Sequence, residues 1–180
     1  MAAIRLVRPS KRYAAEIMAF RSEILAAKDE DAFAGCCWLE DCPTAEAWFK
    51  LLHDCETGAG GKVPSSVFLA MCGERLIGIT DLRHHIHHPI LGLWGGHIGY
   101  SVRPCERGRG YAREILRLQL VEAARLGLER VLVTCSRSNP ASERTILSNG
   151  GVFEREVEVD GDFIRRYWIE TGINRAVTGS

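Results

Sequence analysis

Between positions 103 and 117 the chain carries Arg103, Arg107, Arg109, Arg113 and Arg117 against only Glu106 and Glu114, a local surplus of three positive charges. Gly108 and Gly110 alternate with these arginines, after a strand-like run that stops at Pro104 and before a segment with helical periodicity. That arrangement describes an anion site. The first N–H groups of a helix have no acceptor inside the helix, and the helix dipole favours negative charge there. Glycine carries no Cβ to hold an anion away from those amides, and arginine grips phosphate oxygens in pairs. The glycines do not complete the G-x-G-x-x-G dinucleotide fingerprint, because Arg113 stands in the third position. A phosphate-binding Walker loop is also excluded, since no Lys-Ser/Thr pair follows.

Histidines form a second group with chemical potential, because an ordinary pKa of ~6.5 suits proton abstraction at neutral pH. His97 opens a strand over 97–102. Strict alternation sets it on the face opposite Ile98 and Tyr100, unless a bulge at Gly95-Gly96 re-aims it. His84 and Asp81 close the preceding strand, and with His97 they are the candidate proton-handling residues. The run "RHHIHH" over 83–88 has no carboxylate or thiolate at close spacing, and Cys36, Cys37, Cys42 and His53 fit no zinc pattern, so no metal is expected. Asp29, Glu30, Asp31, Glu40 and Asp41 gather negative charge in the early helical region. They would either draw a cationic amine or form a solvated face. Trp38, Trp48 and Trp94 would shape a pocket or fill the core.

The elements that position these residues follow from periodicity. Residues 4–9 alternate and end at Pro9, a first strand. Tyr13, Ile17, Phe20 and Ile24 mark one face of a helix over 11–28, and a second helix over 44–54 starts at Thr44. Strands at 66–72 and 75–83 form a hairpin about Gly73, followed by the strand at 97–102. A helix then runs to Gly127, a buried strand covers 130–136, and a helix covers 141–149. Two last strands meet at Asp160-Gly161, a strong hairpin signal. The order β-α-α-β-β-β-α-β-α-β-β predicts an α/β (α+β) fold with a mixed, mainly antiparallel sheet flanked by helices.

Composition bounds the rest. At 180 residues the chain is expected to form a single domain over 1–180. Lys+Arg and Asp+Glu are equal at 23 each, which argues against a nucleic-acid partner. No apolar run approaches the ~20 residues of a membrane helix, so no membrane partner is expected. Seven cysteines, an odd number without a CxxC pair, point to reduced thiols and a cytoplasmic location.

The stretch Arg107-Gly108-Arg109-Gly110-Tyr111-Ala112 resembles the R/Q-x-x-G-x-G/A motif of the GNAT superfamily of acyl-CoA-dependent N-acyltransferases. The strand "HIGYSV" before it and the later Asn139-x-x-Ser142 segment ending at Gly150-Gly151 resemble that family as well, and the element order matches over about residues 4–170. The resemblance implies acetyl transfer from acetyl-CoA to an amine, either small or on a peptide, in a ternary complex. It implies that residues 107–112 hold the pyrophosphate, that the backbone of Tyr100 to Val102 pairs with the pantetheine arm, and that Asn139 and Ser142 touch the cofactor. It implies that strands 97–103 and 130–136 splay apart to admit that arm, and it leaves room for a homodimer. Many relatives place an acid tyrosine in the helix after Asn139. Ile146 stands there in this chain, which keeps a non-catalytic acyl-CoA sensor as the rival expectation.

Overall fold

The computed structural model describes residues 3–28 and 33–172, so Asp29, Glu30 and Asp31 lie outside the described residues. A hairpin organises the first half. Strands β1 (Arg5–Val7), β2 (Ser65–Cys72), β3 (Arg75–Arg83) and β4 (Ile98–Val102) form an antiparallel sheet in that order. Alternation sorts its side chains. Val67, Leu69, Met71 and Ile79 face one layer of helices, while Ala70, Ile77 and Val102 face the other. The first layer holds α1 (Ala14–Ala27), entered by a 3-10 turn at Lys11–Tyr13, and α2 (Ala45–Thr57). Ile17, Phe20 and Ile24 recur at helical spacing and are buried, as periodicity requires. Thr44 caps α2 by accepting the Ala47 N–H at 3.2 Å, and Gly58 at φ 73° closes it.

The second layer is α3 (Tyr111–Arg125), whose Ile115 and Tyr111 pack with Ala70 and Ile77. Strands β5 (Arg130–Ser136), β6 (Val152–Val159) and β7 (Asp162–Glu170) form a separate antiparallel sheet in the order β5-β7-β6. Asp160 and Gly161 both take positive φ, 51° and 86°, the combination a two-residue hairpin turn demands. Helix α4 (Pro140–Leu147) lies between β5 and β6 in the chain. Leu116, Leu120, Val131, Val133, Ile146 and Tyr167 join in the core of this half.

One loop ties the two helical layers' sheet to the region before α2. Trp48 is fully buried and its Nε1 donates to the Cys36 carbonyl at 2.9 Å. Ser101 Oγ on β4 donates to the Ala34 carbonyl at 2.8 Å. Between these anchors Gly35, at φ 77°, lies so close to β4 that an added Cβ would come within 2.2 Å of the Gly99 carbonyl. Only glycine satisfies both the dihedral and the approach. Gly35→Ala is therefore expected to destabilise the protein by at least about 2 kcal/mol, read as a lower urea midpoint. An unchanged midpoint would show that the loop does not rest on β4.

Candidate active site

The two sheets share a core at Leu82, Ile98, Val131 and Val133, are hydrogen-bonded at His97, and then part. His97 donates its backbone N–H to the Leu132 carbonyl at 2.7 Å, and Leu132 N–H returns a bond to the His97 ring at Nδ1, 2.9 Å. Beyond that point β4 pairs with β3 and β5 pairs with β7. The gap between them opens into a cleft of ≈ 1310 Å³. Hydrogen bonding along β4 sets what its open edge offers. Arg103 N–H donates to Ile77 and the His97 carbonyl accepts from Arg83, so odd-numbered backbone groups turn toward β3. The alternation of a strand then turns the N–H groups of Tyr100 and Val102 toward the open edge.

The α3 N-terminus, where the sequence places an anion site, lies along this cleft. Val102, Arg107, Gly108, Gly110, Tyr111 and Ala112 line it, as does Arg113. Gly110 is the N-cap at φ 80°, and no side chain caps the first turn. Gly108 has φ 73°, and an added Cβ there would meet nothing within 4 Å. The helix amides therefore stand open to an incoming anion, with space in front of them. Arg107 Nε donates to the Val102 carbonyl at 3.1 Å. Arg109 does not line the cleft; it pairs with buried Glu106 at 3.1 Å. Tyr100 on β4 also lines the cleft, as do Asn139 and Ser142 across the gap. Asn139 caps α4 through its Oδ1, which accepts the Ser142 N–H at 3.0 Å. Tyr100 Oη and Ser142 Oγ lie 2.9 Å apart, linking β4 to α4. Burial pushes the Tyr100 hydroxyl up to about 12, so it stays protonated at neutral pH.

The three candidate proton-handling residues are placed differently. None of His97, His84 and Asp81 lines the cleft. His97 is 5% exposed, and burial, followed by the Arg83 charge, lowers its pKa to about 4. A backbone N–H only donates, so the Leu132 bond marks Nδ1 as the acceptor and places the ring proton on Nε2. Asp81 is buried; its Oδ1 accepts the Gly99 N–H at 3.1 Å and its Oδ2 pairs with Arg83 Nε at 3.2 Å. Burial raises its pKa, with Arg83 and the Gly99 amide pulling the other way. His84 Nε2 lies 2.9 Å from Ser66 Oγ, and burial, then Arg8, lowers its pKa. Ile146 is fully buried in the core.

Other walls of the cleft include Glu40 and Trp94, named above as able to draw an amine and to shape a pocket, and residues the sequence does not single out. Phe33, Gly35 and Glu40 line it from the loop before α2, and Arg83, Trp94 and Gly95 line its far end. Trp94 sits in a π-helical turn, Leu91–Gly95. Arg83 Nη1 holds that turn through the Gly95 carbonyl at 2.8 Å, Arg166 Nη1 through the Gly92 carbonyl at 2.6 Å, and Thr134 Oγ1 through the Trp94 carbonyl at 2.6 Å. Paired glycines beside a tryptophan were the visible trace of this turn, but the two arginines that fix it come from other strands. Trp48 is core and Trp38 is 53% exposed, so of the three tryptophans named above Trp94 is the one in the cleft. Among the described residues no group of three or more His, Cys, Asp or Glu side chains is placed to hold a metal ion. No helix among them is long and apolar enough to cross a membrane.

Comparison with known proteins gives the same architecture. The family model for the acetyltransferase (GNAT) domain matches residues 5–152. Among solved structures, RimJ of Mycobacterium smegmatis in complex with CoA-disulfide is 18% identical, with a TM-score of 0.70, covering 99% of this chain and 86% of that one. RimL, a ribosomal L7/L12 alpha-N-protein acetyltransferase in complex with coenzyme A, is 17% identical with a TM-score of 0.67, covering 96% and 97%. A spermidine N-acetyltransferase SpeG chimera from Vibrio cholerae and hSSAT is 15% identical with a TM-score of 0.61, covering 98% and 99%. These likenesses are of fold. A search of curated proteins finds no match.

Proposed function

The chain belongs to the GNAT acetyltransferases, and from that premise we propose that it moves an acetyl group from acetyl-CoA to an amine by direct transfer in a ternary complex. The observation that carries the reading is the cleft itself. It has an uncapped helix N-terminus on one side and wall residues from the opposite helical layer on the other. Two substrates can therefore meet in it from opposite faces of the sheet. Helix-terminal amides and Arg113 suit the diphosphate. The Tyr100 and Val102 amides at the open edge suit the pantetheine arm and the thioester oxygen, where charge develops during transfer.

An ammonium has no lone pair, so the acceptor must lose a proton before it attacks. His97 does not suit that task, because its Nε2 already carries the ring proton and Nδ1 is engaged. We read His97 as the clamp that sets where the sheets part. Asp81 we read as the group that holds the Gly99 amide and Arg83, and His84 as a support of the β2–β3 hairpin. Deprotonation then passes to water in the open cleft, and the thiolate leaves with water's help. Cysteines without a disulfide suit a reducing cytoplasm, and the reading leaves room for a homodimer.

A second reading, acyl-CoA binding without transfer, is favoured by one observation: the position where relatives carry an acid tyrosine is core isoleucine, Ile146. One pair of measurements separates the two. Calorimetry with acetyl-CoA is expected to give a saturable heat, and CoA thiol is expected to appear when a panel of amines is added. Heat without thiol release on any amine would leave the sensor. No heat with any CoA thioester would remove both.

A further inference from the structure

We propose that the far end of the cleft, formed by Arg83 and the indole of Trp94, is a specificity subsite for a carboxylate on the acceptor, so that the amine acetylated here carries an acidic group close to its nitrogen. The inference rests on the acetyl-transfer reading and deepens it.

The turn that carries Trp94 is held from three directions. Each carbonyl from Gly92 to Gly96 accepts from a side chain of another strand. Arg166 on β7 serves Gly92 and Leu93, Thr134 on β5 serves Trp94, and Arg83 on β3 serves Gly95 at 2.8 Å and Gly96 at 3.3 Å. Arg166 is 4% exposed, and its Nε donates to Glu154 at 2.6 Å. π-helical turns are rare and gather at functional sites. Two arginines committed to one such turn hold its side chains in a fixed place, as recognition of a ligand requires.

Two donors are left over at that place. Trp94 is 38% exposed and lines the cleft, and its Nε1–H donates to no group among the described residues. Arg83 lines the cleft beside it. Its Nε faces Asp81 at 3.2 Å and its Nη1 takes the two turn carbonyls, while Nη2 makes no hydrogen bond among the described residues and is not buried. Asp81 offsets part of the Arg83 charge, but it does not line the cleft, and its other oxygen accepts the Gly99 N–H at 3.1 Å. The acids that do line the cleft leave the donors free. Glu40 Oε2 is buried, and Glu106 pairs with Arg75 at 2.9 Å and with Arg109 at 3.1 Å.

Donors without acceptors select an anion. An indole N–H can only donate, and a guanidinium matches the shape of a carboxylate. Ile24, Leu25 and Phe33 on the same cleft suit an apolar body attached to the amine. Positive surroundings also lower the pKa of the bound ammonium, which eases the proton loss that must precede attack.

The test uses the full chain and probes that share one body: phenylalanine, its amide, and phenethylamine. Steady-state acetylation gives kcat/KM for each, and calorimetry gives the acetyl-CoA affinity. Phenylalanine is expected to exceed phenethylamine by about tenfold or more, with the amide between them. A tripeptide amide beginning in aspartate is set against one beginning in asparagine, which tells an acidic side chain from an α-carboxylate as the source. Preference for the acidic member of either pair supports the subsite, and preference in neither overturns it. Trp94→Phe removes the N–H and keeps a ring; Arg83→Lys removes the fork and keeps the charge. Each is expected to narrow the acid-to-neutral ratio severalfold, mainly through KM, with acetyl-CoA affinity nearly intact as evidence of folding. An unchanged ratio in both also overturns the subsite. If Arg83→Lys does not fold, Trp94→Phe decides by the same rule. If the wild type binds acetyl-CoA and acetylates none of these probes, tryptophan fluorescence of the CoA complex decides. A saturable change with phenylalanine, missing with phenethylamine and missing in Trp94→Phe, upholds the subsite while the transfer reading falls. No change with any probe removes the subsite.

Discussion

Gly110→Asp is expected to weaken acetyl-CoA by at least about tenfold, roughly 1.4 kcal/mol, while the fold survives. Gly110 is the N-cap of α3 and sits at φ 80°. An L-residue pays about 1–2 kcal/mol in that region, with Asp and Asn among the least penalised. Against this, an Asp N-cap contributes about 1 kcal/mol by accepting an orphan helix N–H. The two nearly cancel, so unfolding should change little. Binding should change much more, because the new carboxylate occupies the amides that would receive the diphosphate and repels its charge. Gly110→Asn isolates the cause. It has the same shape, the same strain and the same capping ability without the charge, so its loss should be smaller. Calorimetry on both variants checks this. A folded Gly110→Asp protein with wild-type affinity would remove the diphosphate from the α3 N-terminus.

The turn expected to hold an anion on the α3 side can be argued from sequence because its residues lie on elements adjacent in the chain. Arg107 to Ala112 form one strand-to-helix turn, and a helix N-terminus with flanking glycines has the same chemistry wherever it is met. Strand bounds followed wherever one physical signal dominated. The β-branched run of β5 ends where it does because Ser136 leads into the α4 cap, and Asp160-Gly161 is a turn that few other residues can make. The element order alone points to one sheet, whereas the strands form two. The two are joined where His97 meets Leu132, 35 positions away, and no local pattern encodes such a pairing. The same holds for the α1–α2 side of the cleft. Gly35 reads in the sequence as an ordinary loop glycine, and only its approach to Gly99 shows why a side chain is excluded. Glu40 was visible as one of several acids, while its unsatisfied oxygen arises from how α1 and the loop pack around it.

His97 carries the other large effect, and it concerns stability. His97→Ala leaves the Leu132 N–H without its acceptor, a loss of about 1–3 kcal/mol, and opens a void beside the Trp168 ring, which now lies 6.2 Å away centroid to centroid. The wild-type contribution also depends on pH in a direction the burial fixes. In the folded protein the imidazole pKa is lowered to about 4, with burial the leading cause. In the unfolded chain it takes its ordinary value of ~6.5. Protonation therefore favours the unfolded state between these values. The stabilisation from neutral His97 is complete above ~6.5, declines as the pH is lowered, and is lost as the pH falls through about 4, on the order of 3 kcal/mol in all. Urea unfolding of wild type and His97→Ala at about pH 7 and about pH 5 measures this. The gap between them is expected to be wide at the higher pH and narrower at the lower one. Turnover should fall in the variant as the seam between β4 and β5 loosens, with acetyl-CoA affinity nearly intact because the α3 N-terminus is untouched. A fall in kcat with no change in unfolding free energy would reverse the assignment, since a clamp cannot be removed without loosening what it holds, whereas a proton acceptor can.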